Sequence, residues 1–170
     1  MLQYQPTMTP VLIFDFNLNS DLSNWKIVND AVMGGISEST CYRNSNGKGT
    51  FEGTVSLENN GGFCAVKYVF EPIYLKPAKH ICIHLKGDGK QYQFRVKINR
   101  TDSHSYVFPF QTTTDWQTIE IPFTQLYPAF RGRKLDQPNH DGSKLEEIAF
   151  LIGNKIEESF QLLIDRIEVK

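Results

Sequence analysis

Cysteine is scarce in this chain of 170 residues, with only Cys41, Cys64 and Cys82. They stand 23 and 18 residues apart, so no Cys-x-x-Cys pair exists, and one thiol is left over from any single disulfide. A reducing compartment is therefore expected. An excess of charge of one sign is also missing: 18 Lys+Arg face 19 Asp+Glu, a net charge of -1. That balance lacks the basic footprint on which nucleic-acid affinity rests, so no nucleic-acid partner is expected. Long apolar runs are absent as well. The early run Val11 to Phe14 ends at Asp15, far short of the roughly 20 apolar residues of a membrane span. Residues 1–10, MLQYQPTMTP, have neither a basic start with an uninterrupted apolar run nor the Arg-rich character of a transit peptide. The expectation is a cytoplasmic protein without a membrane span, in which the sequon Asn99-Arg100-Thr101 has no consequence.

Alanine, the best helix former, occurs only five times against fourteen isoleucines and twelve phenylalanines. What is present instead is period-two alternation. From Gln91 to Asn99, Tyr92, Phe94, Val96 and Ile98 fall on one side and polar residues on the other, the pattern of a half-buried strand. Ile81, Ile83 and Leu85 repeat it, and the intervening Gly87-Asp88-Gly89-Lys90 predicts a tight hairpin joining the two as an antiparallel pair. Further strands are predicted at 12–16, 25–28, 50–57, 63–70, 106–111, 116–121, 148–152 and 160–169, ten in all. Leu145 to Glu147 is the one candidate helix, too short to matter. The fold class is thus all-β, a sandwich of two antiparallel sheets in a single domain over 1–170. The stretch from Phe123 to Ser143, with two prolines and two glycines, exceeds ordinary loop length and is marked as functional or mobile.

Catalytic and metal-binding signatures are missing. His80 and His84 are spaced i, i+4, but in a strand that puts them about 13 Å apart. Asp136, Asn139, Asp141 and Gly142 carry hard oxygen groups without the ligand spacing of an EF-hand. No Gly-x-Ser-x-Gly elbow, P-loop or dinucleotide fingerprint appears. No catalytic residue, metal site or cofactor is expected.

Four features carry binding chemistry. The block Asp30 to Ser37 holds paired glycines between groups that cap turns. In Phe51 to Phe63 a strand leads through Asn59-Asn60-Gly61-Gly62 into the next strand, which hairpin chemistry accounts for while Asn59 and Asn60 offer amides to a ligand. Phe130-Arg131-Gly132-Arg133 sets two guanidinium groups beside an aromatic, the composition of interface hot spots. Finally, Gln93, Arg95 and Lys97, with His84 and Lys86 on the expected neighbouring strand, predict a basic sheet face.

Together these blocks resemble the complex I intermediate-associated protein family of NADH:ubiquinone oxidoreductase assembly factors. The matching residues are Trp25 with Asp30-x-Val32-Met33-Gly34-Gly35-x-Ser37, then Phe51-x-Gly53-x-Val55-Ser56-x-Glu58 through Phe63. Gly87-Asp88-Gly89-x-x-Tyr92-x-Phe94, Trp116 before Ile121-Pro122-Phe123, and Phe130-Arg131-Gly132-Arg133 follow, so the resemblance spans roughly 14–169. It implies a galactose-binding-like jelly roll and a non-catalytic assembly chaperone whose partners are protein subunits of a respiratory or photosynthetic complex. The chain begins almost at the first block, from which a bacterial or otherwise cytoplasmic member is expected. Arg131 and Arg133 are the expected partner-binding anchors, with Asp30, Asn59, Asn60 and Phe130 as supporting surface. The alternative is a carbohydrate-binding module for a small sugar. It would stack Trp116 or Tyr92 on the ring and hydrogen-bond hydroxyls through Asn60, Asp88 and Arg95.

Overall fold

The structure is a computed structural model that describes residues 9–170. Residues 1–8, which include most of the stretch read above as lacking a secretory start, and the side chains of Val32 and Met33 lie outside the described residues. Thirteen strands form among the described residues. They are β1 (Val11–Asp15), β2 (Trp25–Ile27), β3 (Glu38–Arg43), β4 (Gly49–Val55), β5 (Cys64–Tyr74), β6 (His80–Lys86) and β7 (Gln91–Lys97), followed by β8 (Ser105–Gln111), β9 (Trp116–Pro122), β10 (Tyr127–Phe130), β11 (Arg133–Lys134), β12 (Lys144–Ile152) and β13 (Glu158–Val169). All pair antiparallel in two sheets. The first runs β3-β4-β13-β6-β9 with β1 also on β13, and the second runs β11-β10-β8-β7-β12-β5-β2. Among the described residues the helical segments are short 3₁₀ turns, and no helix is long and apolar enough to cross a membrane.

The core fills the space between the sheets. Phe51, Ile83, Leu85 and Ile164 of the first sheet face Val66, Phe94, Phe150 and Ile152 of the second, all with no exposed surface. Two bulges reset the phase of the alternation. In β13 the inward residues Phe160, Leu162 and Ile164 give way to Ile167 and Val169, and the register on β6 shifts between Ile164 and Arg166. In β12 the shift between Leu145 and Glu147 lets Leu145 and Ile148 both point inward. It also sets Glu147, Ala149 and Leu151 on the outer face of the second sheet.

Five expectations are corrected. The strands β6 and β7 do not form a hairpin: β6 lies between β13 and β9 in the first sheet and β7 between β12 and β8 in the second, so Gly87 to Lys90 crosses from sheet to sheet. His84 and Lys86 therefore do not share a face with Gln93, Arg95 and Lys97. The segment Glu58–Gly62 is likewise a crossover, because β4 and β5 belong to different sheets. The stretch from Phe123 to Ser143 is not irregular throughout, since it holds β10 and β11, and Leu145 to Glu147 is strand rather than helix. The edge strand β3 escapes the alternation test because its side chains are exposed or half-buried.

Candidate functional site

The outer face of the second sheet is concave and forms a cleft of about 910 Å³. Its floor follows from register. Lys67 of β5, Ala149 of β12 and Arg95 of β7 stand side by side in one cross-strand row, so the small Ala149 is flanked by two long cations. Ala65 and Leu151 extend the apolar floor, and Gln93 and Lys97 continue the β7 wall.

Three turns make the rim, each with a residue forced into the left-handed region. Asn60 has φ 59°, Arg131 φ 50° and Lys155 φ 62°; these are three of the four non-glycine residues described with positive φ, and Asn59 at φ 55° adjoins the first. Such backbone is disfavoured for residues with a Cβ and concentrates where function holds it. Arg131 and Gly132 are the two central residues of the β10–β11 hairpin, with Phe130 opposite Arg133, and Gly132 has φ 77°. That is a type I′ turn, which requires positive φ at both positions. The Arg131 guanidinium lies 5.2 Å from the centroid of the Phe130 ring, itself 40% exposed.

The cleft is electropositive. Lys67, Arg95, Lys97, Arg131 and Lys155 line it against one carboxylate, Glu147. Glu147 is nearly buried and pairs with Lys67 at 3.7 Å. Lys97 donates from Nζ to the Asp102 carbonyl at 2.6 Å. Arg95 has no ion-pair partner among the described residues; its Nε donates to Gln93 Oε1 at 3.0 Å, which fixes the plane of the guanidinium. Burial lowers the Arg95 pKa from its ordinary value, against a smaller opposing influence from Tyr127.

Beneath the rim lies a buried tie between the two Gly-rich blocks. Asp30 has no exposed surface, which corrects its expected place on a partner-facing surface. Its Oδ1 accepts the Ser37 N–H at 3.0 Å; its Oδ2 accepts the Ser37 hydroxyl, the Gly62 N–H at 2.7 Å and the Phe63 N–H at 3.3 Å. A Cβ on Gly61 would stand 2.5 Å from Asp30 Oδ2, so only glycine leaves room for the carboxylate.

Of the expected site residues, Asn60, Arg95, Phe130 and Arg131 come together at the cleft, with exposed Asn59 beside it and exposed Arg133 across the hairpin. The rest do not join them. Asp88 is used internally, accepting from Tyr92 Oη at 3.0 Å and Gln161 N–H at 2.9 Å. Tyr92 is 1% exposed in the core. Trp116 is exposed, but on β9 of the other sheet, where it stacks on His84 at 5.0 Å; His84 in turn meets Asp165 at 2.7 Å. Lys67, Glu147 and Lys155 were not anticipated from sequence, although Lys67 alternates with the inward Val66 and Tyr68.

A sandwich of two antiparallel sheets with this topology is a jelly-roll fold, and solved structures share it. A family 11 carbohydrate-binding module from Clostridium thermocellum, in complex with a β-1,3-1,4-mixed-linked tetrasaccharide, superposes with a TM-score of 0.69 at 17% identity, covering 96% of each chain. An exo-β-agarase matches with a TM-score of 0.58 at 12% identity, over 94% of this chain and 25% of that one. The chain belongs to the Complex I intermediate-associated protein 30 (CIA30) family, whose model matches residues 14–164. It is 23% identical over 93% of its length to the mouse mitochondrial complex I intermediate-associated protein 30, and spans about half, 55%, of that relative. An uncharacterized Schizosaccharomyces pombe protein is 29% identical, over 85% of this chain and 76% of the other.

Proposed function

We propose that this chain is a non-catalytic binding module that holds a protein client during assembly of a membrane-associated redox complex of the complex I type, respiratory or photosynthetic. It works in the cytoplasm, peripheral to that complex. The observation that carries the reading is the cleft itself: in a member of this family, three left-handed turns frame one concave cationic surface whose rim includes Phe130 and Arg131. Arg131 and Arg133 are the anchors, both on an exposed hairpin where guanidinium and aromatic groups combine.

The sugar-binding alternative has less support within the chain. The cleft offers one exposed aromatic ring, Phe130, already faced by the Arg131 guanidinium at 5.2 Å, while Trp116 lies on the opposite sheet and Tyr92 in the core, so neither of the expected stacking rings reaches the cleft.

The test is affinity capture from native lysate with mild crosslinking, comparing wild type with the Arg131→Ala, Arg133→Ala double variant at matched salt. Enrichment of redox-complex subunits, lost in the variant, is expected. Recovery of no protein partner, together with a hit on a glycan panel, overturns the reading in favour of a carbohydrate-binding module.

A further inference from the structure

Arg95 stands at the centre of the cleft with a free fork. Its Nε is engaged by Gln93, and both Nη groups lack a partner among the described residues. Glu147, the one carboxylate in the lining, is drawn to Lys67, its ion-pair partner at 3.7 Å, and stands in register opposite Lys97 rather than Arg95. A planar guanidinium with two open N–H groups matches a carboxylate in two parallel hydrogen bonds, and the surrounding cations favour further negative charge.

Resting on the binding-module reading above, we propose that the cleft takes an extended acidic segment of a protein partner, with a carboxylate seated on Arg95. Acidic residues to either side would lie toward Arg131 and Lys155.

Three observations select this occupant. The volume, 910 Å³, lies at the upper end of the roughly 300–1,000 Å³ of ligand sites, so it admits several residues. The lining sets cations among apolar floor positions, Lys67 and Arg95 flanking Ala149, with Ala65 and Leu151 beside them, so the acidic side chains on one face of an extended segment reach the cations while their methylene stems lie on the apolar floor. Arg95 and Lys97 are two residues apart on one strand face, about 7 Å, which is the spacing of i and i+2 side chains in an extended segment. An anionic saccharide shares the charge but finds no tyrosine or tryptophan platform in the lining.

The experiment uses a fluorescein-labelled hexapeptide of alternating glutamate and valine, its glutamine and lysine counterparts, and a trigalacturonate competitor. Fluorescence polarisation gives affinity at low and physiological salt, and amide chemical-shift mapping on the wild-type protein locates the contact. Binding of the glutamate peptide alone is expected, with shifts on β7 and β12 and a loss of about tenfold or more in both Arg95→Gln and Arg95→Lys, because lysine cannot supply the fork. Equal binding of the glutamine peptide overturns the inference, as do shifts confined to other faces or unchanged affinity in both variants. Trigalacturonate displacing the peptide at higher affinity also overturns it, in favour of a saccharide. The wild-type mapping decides even if a variant folds poorly. Client capture that persists while acidic peptides fail to bind sinks this inference alone, and peptide binding without client capture sinks the assembly reading alone.

Discussion

The Asp30 carboxylate accepts the Gly62 amide at 2.7 Å, joining two segments 32 residues apart in the chain. The same oxygen takes the Ser37 hydroxyl and the Phe63 amide, so the Asp30–Ser37 and Asn59–Phe63 blocks are one unit around one buried charge. Burial opposes ionisation of Asp30, but the hydrogen bonds from Ser37, Gly62 and Phe63 outweigh it and hold the carboxyl below its ordinary pKa. A depressed acid contributes stability that is present above the unfolded value of about 3.9 and is lost as pH falls through the lower folded value. Asp30→Asn keeps one acceptor oxygen for four donors and turns an NH2 donor toward the Ser37 N–H, and should cost about 3 kcal/mol, lowering Tm by about 10 °C. Gly61→Ala should be destabilising in the wild type and much less so beside Asp30→Ala, since the clash is with the carboxylate itself. Additive losses in that double-mutant cycle would contradict the arrangement.

A second buried titratable group gives a pH dependence nearer neutrality. His140 is 3% exposed, stacks on Phe123 at 5.4 Å and meets the Tyr106 ring edge-on at 5.0 Å. Its Nδ1 accepts the Gly142 N–H at 2.9 Å, which requires the neutral ring. Burial pushes its pKa from 6.5 down to about 4. The unfolded chain therefore binds the extra proton first, and stability falls as pH drops from about 6.5 to about 4. The loss between pH 7 and pH 5 should be about 2 kcal/mol by urea unfolding. In His140→Phe that slope should flatten, and an unchanged slope would assign the pH dependence elsewhere.

How far the sequence could be read depends on what alternation encodes. It reports which side of a strand is buried, so the inward rows of β7 and β6 were legible. It does not report which sheet a strand joins, because both sheets of a sandwich bury one face. Gly87-Asp88-Gly89-Lys90 therefore looked like a hairpin although β6 pairs with β13 and β7 with β12, partners 50 or more positions later in the chain. Arg131 and Phe130 stood out by composition, and Arg95 by its place in the polar row. Glu147 did not, because the bulge after Leu145 decides which way it points. Asp30 misled for a related reason: a charged residue reads as surface unless its four donors, two of them more than 30 residues away, are known.

The hairpin supplies a test that separates stability from function. Arginine at φ 50° is a poor choice for the first central position of a type I′ turn, where asparagine is favoured. Arg131→Asn should therefore stabilise the fold by about 1 kcal/mol, raising Tm by about 3 °C. If Arg131 is kept for a partner, the same variant binds its client more weakly despite being more stable. Higher stability with unimpaired client binding would show that the guanidinium is dispensable there.

Position within the cleft should also divide the kinetics of client binding. Arg131 and Arg133 are exposed, so their charges act mainly on the approach of the partner, at distances where salt screens them. The Arg131→Ala, Arg133→Ala variant should associate more slowly, with an association rate less sensitive to salt than that of the wild type, and dissociate at nearly the same rate. Arg95 is half-buried on the floor with no ion-pair partner among the described residues, so its contact forms only after docking. Arg95→Gln should leave association almost unchanged and raise the dissociation rate about tenfold or more. Surface plasmon resonance on a client fragment obtained by capture reads both rates. Variants altered in the opposite sense, rim in dissociation and floor in association, would require the carboxylate contact to sit at the hairpin rather than on the floor of the sheet.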